Sequence, residues 1–290
     1  MKKWAFFLLY SVAIWGCEKT IQIDTVQQSP KLVVEGQIEN SQAPIIVLSN
    51  SLNYFSEIDA ATLNSAYVHG AKVSITNGTN TYDLKETSVP LTGGYYIYYY
   101  TAPQSAFFGE MGKTYNLSIE TGGQVYTSTT TIPFLTKKID SLWWKKAPNN
   151  IDTTKVVLMA RVTDPPGLGN YIRYFTSSNN RDFLPGLNSV FDDQIIDGKT
   201  YDIQVDQGVT KNEKLNFDDY GYFKRGDTAI VKFCNIDKAS FDFWRTWEFT
   251  YQSVGNPFSS PGKVISNINN GGLGSFCGYA VQYKQLIIPK

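Results

Sequence analysis

The chain has 290 residues, with 26 lysines and arginines balancing 26 acidic residues, and only one histidine. Without an excess of positive charge it offers no basic field for nucleic acid, and His69 with the two cysteines of the chain's later part, Cys234 and Cys277, matches none of the spacings of ordinary zinc ligand sets. Its 19 tyrosines and 17 phenylalanines, punctuated at short intervals by Gly, Asn, Ser and Thr, suit many short strands joined by turns, so an all-β protein is expected.

Lys2 and Lys3 precede an apolar run from Trp4 to Trp15 that ends in Gly16-Cys17. This is the pattern of a secretory signal over residues 1–16, and the run is short for a bilayer span. A small residue followed by cysteine resembles the bacterial lipobox, in which the cysteine carries lipid and begins the mature protein. Cys17 is therefore the expected lipidation site. Residues 17–30 are mostly polar, with isolated Ile21, Ile23 and Val26, and read as a tether. Several acyl chains on one cysteine exceed the two-signal threshold for stable membrane anchoring.

Strands are expected at 31–38, 45–48, 70–76, 81–84, 95–100, 114–120 and 125–131. Asn77-Gly78 and Gly122-Gly123 mark hairpin turns. Seven short strands in about a hundred residues is the pattern of an immunoglobulin-like β-sandwich, assigned to residues 31–134. Pro133 ends the last of them. Residues 135–290 read as a second, mainly β domain with strands at 139–144, 156–162, 171–176, 201–205, 228–233 and 276–288. The segment Asp164-Pro165-Pro166-Gly167 is a turn. One helix interrupts the pattern near 238–251: Asp237 or Ser240 can cap it, and Phe241, Trp244, Glu248 and Tyr251 fall at helical spacing.

Cys234 and Cys277 form an even pair in a chain read as exported, so a disulfide between them is expected, with two separate buried thiols as the alternative. His69, at a strand entry, is the one possible histidine base and reads as a surface residue. Asp192, Asp193 and Asp197, and the pair Asp218-Asp219, could offer oxygen ligands to calcium, but neither follows the alternating EF-hand loop. They read as solvated turn residues, and no metal or cofactor is expected. In strand geometry Tyr96, Tyr98 and Tyr100 point one way and Tyr95, Ile97 and Tyr99 the other. Either one face is a stacking platform for a sugar or a protein, or one face lines the core and the other crowds a sheet surface. Trp244 and Trp247 on the helix offer a second aromatic surface.

Together, Cys17-Glu18-Lys19, Lys31-Leu32-Val33-Val34-Glu35-Gly36, Gly70-Ala71-Lys72-Val73-Ser74-Ile75 ahead of Asn77-Gly78, and Gly112-Lys113-Thr114-Tyr115-Asn116-Leu117 suggest a family. Thr131-Ile132-Pro133, Asp140-Ser141-Leu142, Asn170-Tyr171, Asn256-Pro257-Phe258, Ser266-Asn267-Ile268 and Gly274-Ser275-Phe276-Cys277-Gly278-Tyr279 extend it along nearly the whole mature chain. The chain resembles the uncharacterised outer-membrane lipoproteins of Bacteroidota encoded beside TonB-dependent receptors. The resemblance implies a lipoprotein that faces the cell surface or the periplasm and accompanies an outer-membrane transporter; it brings no catalytic or ligand residue with it. Organisms of that group attach glycans at Asp-Ser/Thr-apolar triplets, and Asp24-Thr25-Val26 resembles one, which makes Thr25 an expected glycosylation site. The function expected is thus a non-enzymatic, lipid-anchored accessory protein of the outer membrane, partnering a TonB-dependent transporter in uptake. The alternative is a stand-alone surface lipoprotein that binds a glycan or a peptide.

Overall fold

A computed structural model of the protein describes residues 29–52, 59–148, 152–210, 215–256, 258–259 and 262–290. Residues 1–16, read as a secretory signal, and Cys17 and Thr25 lie outside the described residues. Before Pro133 the strands are β1 (Leu32–Glu39), β2 (Ile45–Asn50), β3 (Lys72–Thr76), β4 (Thr81–Pro90), β5 (Tyr96–Thr101), β6 (Thr114–Thr121) and β7 (Gln124–Thr131). After it come β8 (Lys138–Lys146), β9 (Lys155–Thr163), β10 (Tyr171–Ser178), β11 (Leu184–Phe191), β12 (Thr200–Val205), β13 (Phe223–Lys224), β14 (Thr228–Ile236) and β15 (Leu273–Ile287). Two α-helices are described, α1 (Ala60–Ala66) and α2 (Lys238–Ser253). The fold is all-β and sandwich-like, as the composition and turn spacing led one to expect.

Local chemistry explains the hairpins. Between β3 and β4 the Asn77 side chain accepts from the backbone N–H groups of Thr79 and Asn80, and Gly78 takes a positive φ of 88°. Between β6 and β7 the two central residues, Gly122 and Gly123, both have positive φ (55° and 75°), which a two-residue hairpin turn of this hand requires. Three elements depart from expectation. β11 contains Pro185-Gly186, which reads as a breaker, but it lies at the sheet edge, where a missing N–H leaves no ladder bond unmade. β4 runs on to Pro90 because its second half pairs with β5 after its first half has paired with β3. α1 has only seven residues, none buried, so it leaves no periodicity to detect; Asp59 caps it by accepting from Thr62 N–H at 2.7 Å.

Eleven strands share one mixed sheet in the order β11-β10-β14-β15-β1-β2-β5-β4-β3-β6-β7, and a four-stranded sheet is built on β9 with β8, β12 and β13. The large sheet passes across Pro133, because β1 pairs in parallel with the first half of β15 while β14 pairs antiparallel with the second half. Gly274 permits this start: its φ is +95°, and a Cβ there would lie 1.9 Å from Val34 O.

The alternation of side chains sorts the sheet into two faces. One face of β1, β2 and β15 carries Val34, Ile38, Ile46, Leu48 and Phe276, which meet Val73, Ile75, Leu117 and Ile119 from the β3-β6-β7 wing in the first core. The same face of β10 and β14 packs Ile172, Val231 and Phe233 against Val156, Leu158 and Val162 of the small sheet in the second. The opposite face of β10, β14 and β15 is covered by α2 in a third cluster that includes Cys234, Phe241, Cys277 and Tyr279. The helix stops short of covering the outer face of β1 and β2, and there a cavity opens.

Candidate functional site: a cavity beside the long helix

α2 is positioned by its first turn. Asp237 is its N-cap, accepting from Ser240 N–H at 2.8 Å, and the other carboxylate oxygen takes the Thr130 hydroxyl and Thr131 N–H, each at 2.8 Å. One side chain therefore both starts the helix and ties it to β7. The buried stripe of the helix carries Phe241, Phe243 and Glu248. Glu248 accepts from Ser189 N–H at 3.0 Å and from the Ser189 hydroxyl at 2.5 Å, which fixes the helix against β11. Trp244 and Trp247, one helical turn apart, are then held at the rim of the sheet with their rings 5.8 Å apart in an edge-to-face contact.

Between α2 and the sheet lies a cavity of about 370 Å³ lined by Arg173, Trp244, Trp247 and Tyr279, with Glu35 and Gln37 reaching it from β1. Arg173 is only 4% exposed. Burying a cation is costly unless its surroundings replace water. Here the guanidinium lies 3.4 Å from the Trp244 ring centroid and 4.6 Å from that of Phe175, so two aromatic faces supply cation–π attraction. Its Nη1 donates to the Tyr279 hydroxyl at 3.0 Å and its Nε to the Ser189 hydroxyl at 3.3 Å. Ser189 in turn donates to Glu248, so the balancing carboxylate stands one hydroxyl away and does not touch the arginine. Trp244 Nε1 donates to the same Tyr279 hydroxyl at 2.9 Å. Burial pushes the Tyr279 phenol well above its ordinary pKa, the buried Cys277 adds to the rise and Arg173 opposes it. The phenol remains a neutral hydrogen-bonding post that aligns Arg173 and Trp244.

Of the aromatic residues singled out from the sequence, Trp244 and Trp247 meet at this cavity. The tyrosine row does not join them. Tyr100 is a correction: it is 2% exposed within the first core, its hydroxyl donating to Val68 O at 2.8 Å and accepting from Ala71 N–H at 3.1 Å. It sits opposite Ile46, whose face points inward, and alternation carries it there. Tyr96 and Tyr98 lie beyond the end of that core, with Tyr98 edge-on to both Tyr67 and His69. His69 is half-exposed and pairs through Nδ1 with Glu86. Burial raises the Glu86 carboxyl, but hydrogen bonds from His69, Gly70 and Tyr100 outweigh it and leave the pKa below the usual range.

The expected disulfide is also corrected. Cys234 and Cys277 are free, buried thiols. Cys234 stands opposite Val281 in the β14–β15 ladder, four residues along the strand from Cys277. At about 3.3 Å per residue that offset is roughly 13 Å, about twice the span a disulfide bridges. Burial pushes the Cys234 thiol up to about 12 and raises Cys277 as well, so neither is a ready nucleophile.

The acidic residues divide. Asp218 and Asp219 are exposed, as solvated turn residues should be, and Asp219 pairs with Lys155 at 2.7 Å. Asp193, in contrast, is buried, with Asp164, a residue that sequence reasoning placed only in a turn. Asp164, Asp193 and Asp197 bring one oxygen each within 4.8 Å of one another. Their charge is met from within the protein. Lys137, with a fully buried side chain, sets its ammonium 2.8 Å from Asp164 Oδ1; Asp193 accepts from the backbone N–H groups of Gly169 and Asn170, and Asp197 from Gly167 N–H at 2.6 Å. The cluster staples the loop after β9 to the loop after β11. Lys137 already pairs with the Asp164 carboxylate of this cluster.

Arg173, Tyr279 and Glu35 were not singled out from the sequence. A signal for Arg173 was there, a lone charge inside the otherwise apolar run Tyr171-Ile172-Arg173-Tyr174-Phe175. Tyr279 and Glu35 carried none, because only the pairing of β1 with β15 brings them to one place. No curated protein matches the chain. A family profile does match, over residues 18–285, and on that coverage the chain belongs to the family described as a domain of unknown function, DUF4249.

Proposed function

We propose that the protein is a non-enzymatic, lipid-anchored accessory protein of the outer membrane, facing the cell surface, that partners a TonB-dependent transporter and takes up ligand in the cavity beside α2. The observation that carries this reading is Ile14-Trp15-Gly16-Cys17 behind Lys2, Lys3 and an apolar run, a lipobox-like tetrad that gives the chain a membrane address. The resemblance to lipoproteins encoded beside such transporters supports the partner. The cavity supports binding over chemistry: it joins rigid aromatic walls to a few oriented polar groups, while the one histidine lies elsewhere, paired with Glu86.

Two measurements test it. A tagged fatty acid is expected to label the wild-type chain and not Cys17→Ala; equal labelling of both overturns the anchor. A pull-down from native outer membranes is expected to recover a TonB-dependent receptor in stoichiometric amount, and its absence overturns the partner. A stand-alone glycan- or peptide-binding lipoprotein is the second reading, favoured by the same cavity. It prevails if ligand binds the purified protein while no receptor accompanies it. A glycan on Thr25 is a separate proposal, tested by the mass of the tether peptide from native cells.

A further inference from the structure

We infer that the cavity beside α2 receives a small zwitterionic ligand, a free amino acid or short peptide, with its carboxylate on Arg173 and its ammonium toward Glu35. This rests on reading the cavity as a ligand site. The case begins with the arginine. Its Nε and Nη1 are engaged by Ser189 and Tyr279, whereas Nη2 has no hydrogen-bond partner among the described residues, although Arg173 lines the cavity. No carboxylate pairs directly with the guanidinium among the described residues. A buried guanidinium with an unused edge is matched in shape and charge by a carboxylate. Stacking between Trp244 and Phe175 holds the fork in place before any ligand arrives, so little ordering is required on binding.

The second half of the case is Glu35. It is exposed, lines the same cavity, and makes no ion pair among the described residues. A cation with one unused nitrogen and an anion with no ion pair among the described residues therefore share a single cavity without neutralising each other. A neutral glycan could hydrogen-bond to both but would balance the charge of neither. An acidic sugar would satisfy Arg173 but offer no cation to Glu35. A molecule with opposite charges at its two ends satisfies both, and Ile45, Val47 and Trp247 offer apolar contact to a side chain between them. A volume of about 370 Å³ suits a ligand of this size.

The test is isothermal titration calorimetry on the full-length lipidated protein in detergent, with four probes: the dipeptide Ala-Phe, its C-terminal amide, its N-acetyl derivative, and glucuronic acid. The free dipeptide is expected to bind, and each of the other three to bind at least about tenfold more weakly, the scale of one lost charge contact. Glu35→Gln, at an exposed position, is expected to abolish the difference between the free and the acetylated dipeptide without moving the melting temperature. Arg173→Lys is expected to weaken the free dipeptide at least about tenfold. Because that side chain also packs against Trp244, the amide and acetyl analogues on the unaltered protein carry the decision. Equal binding of the acid and its amide overturns the inference, as does tighter binding of glucuronic acid or heat with none of the probes. Glucuronic acid binding alone leaves the cavity a ligand site of another class, and receptor recovery in the pull-down is read independently of either result.

Discussion

The buried pair Lys137–Asp164 offers the sharpest test of how this fold is held together. Both side chains are fully buried, and Nζ lies 2.8 Å from Asp164 Oδ1. At an effective dielectric of about 20 the attraction at that distance is about 6 kcal/mol, most of it offset by the cost of removing two charges from water. Lys137→Met removes the attraction and leaves the carboxylate buried with only the Gly198 N–H at 3.2 Å on its other oxygen. Breaking such a pair from one side costs about 3–5 kcal/mol. For a body of this size that is a fall of roughly 6–20 °C in melting temperature. The double variant Lys137→Met with Asp164→Asn removes both charges and keeps an acceptor for Gly198, so it is expected to recover at least half of the loss. Guanidinium unfolding of the wild type, the two single variants and the double variant measures the coupling directly. If Lys137→Met alone costs less than about 1 kcal/mol, or if the single losses simply add, the pair does not stabilise the fold in the way argued from its burial.

Asp237→Ala removes the α2 cap together with the acceptor of Thr130 and Thr131, and a loss of about 2–4 kcal/mol is expected in urea unfolding, part of it restored by Asn. Burial raises the Asp193 carboxyl, but backbone N–H bonds from Asn170 and Gly169 outweigh it and hold its pKa below the ordinary value. The folded state therefore keeps the charge where the unfolded chain already binds a proton, so the stabilisation is present above about pH 4 and is lost as pH falls through the lower folded value. The stability difference between wild type and Asp193→Asn, followed by unfolding at a series of pH values, is expected to shrink on acidification; a constant difference refutes the assignment. Finally, Cys234 and Cys277 are expected to resist a thiol reagent in the native protein and to react together on unfolding, and a bridged peptide under non-reducing conditions refutes the free pair.

Much of the local structure can be read residue by residue. Asn77-Gly78 and Gly122-Gly123 specify hairpins because few residues tolerate positive φ, and Asp237 ahead of Phe241 and Trp244 specifies a capped amphipathic helix. The wrong or missing assignments share a cause. Tyr100 looked like a binding residue because alternation sorts a strand into two faces without saying which is inside. Pro185 hid β11 because a proline is forbidden or harmless according to whether its strand is central or at an edge. Of the candidate site, Trp244 and Trp247 were legible as an aromatic surface on one helix, while Arg173 was legible only as an anomaly.

The sequence by itself determined the β character, the turns and the capped helix, since each depends on chemistry within a few neighbouring residues. Only the tertiary structure decided that β1 lies against β15, more than two hundred residues away in the chain. That pairing is set by packing between distant faces and by Gly274, which lets the backbone pass beside Val34. It brings Glu35 toward the cavity that Arg173 also lines, while the β14–β15 register keeps the two thiols apart. A charge buried between aromatic rings acquires its chemistry from what surrounds it, and here those surroundings come from β10, β11, α2 and β15.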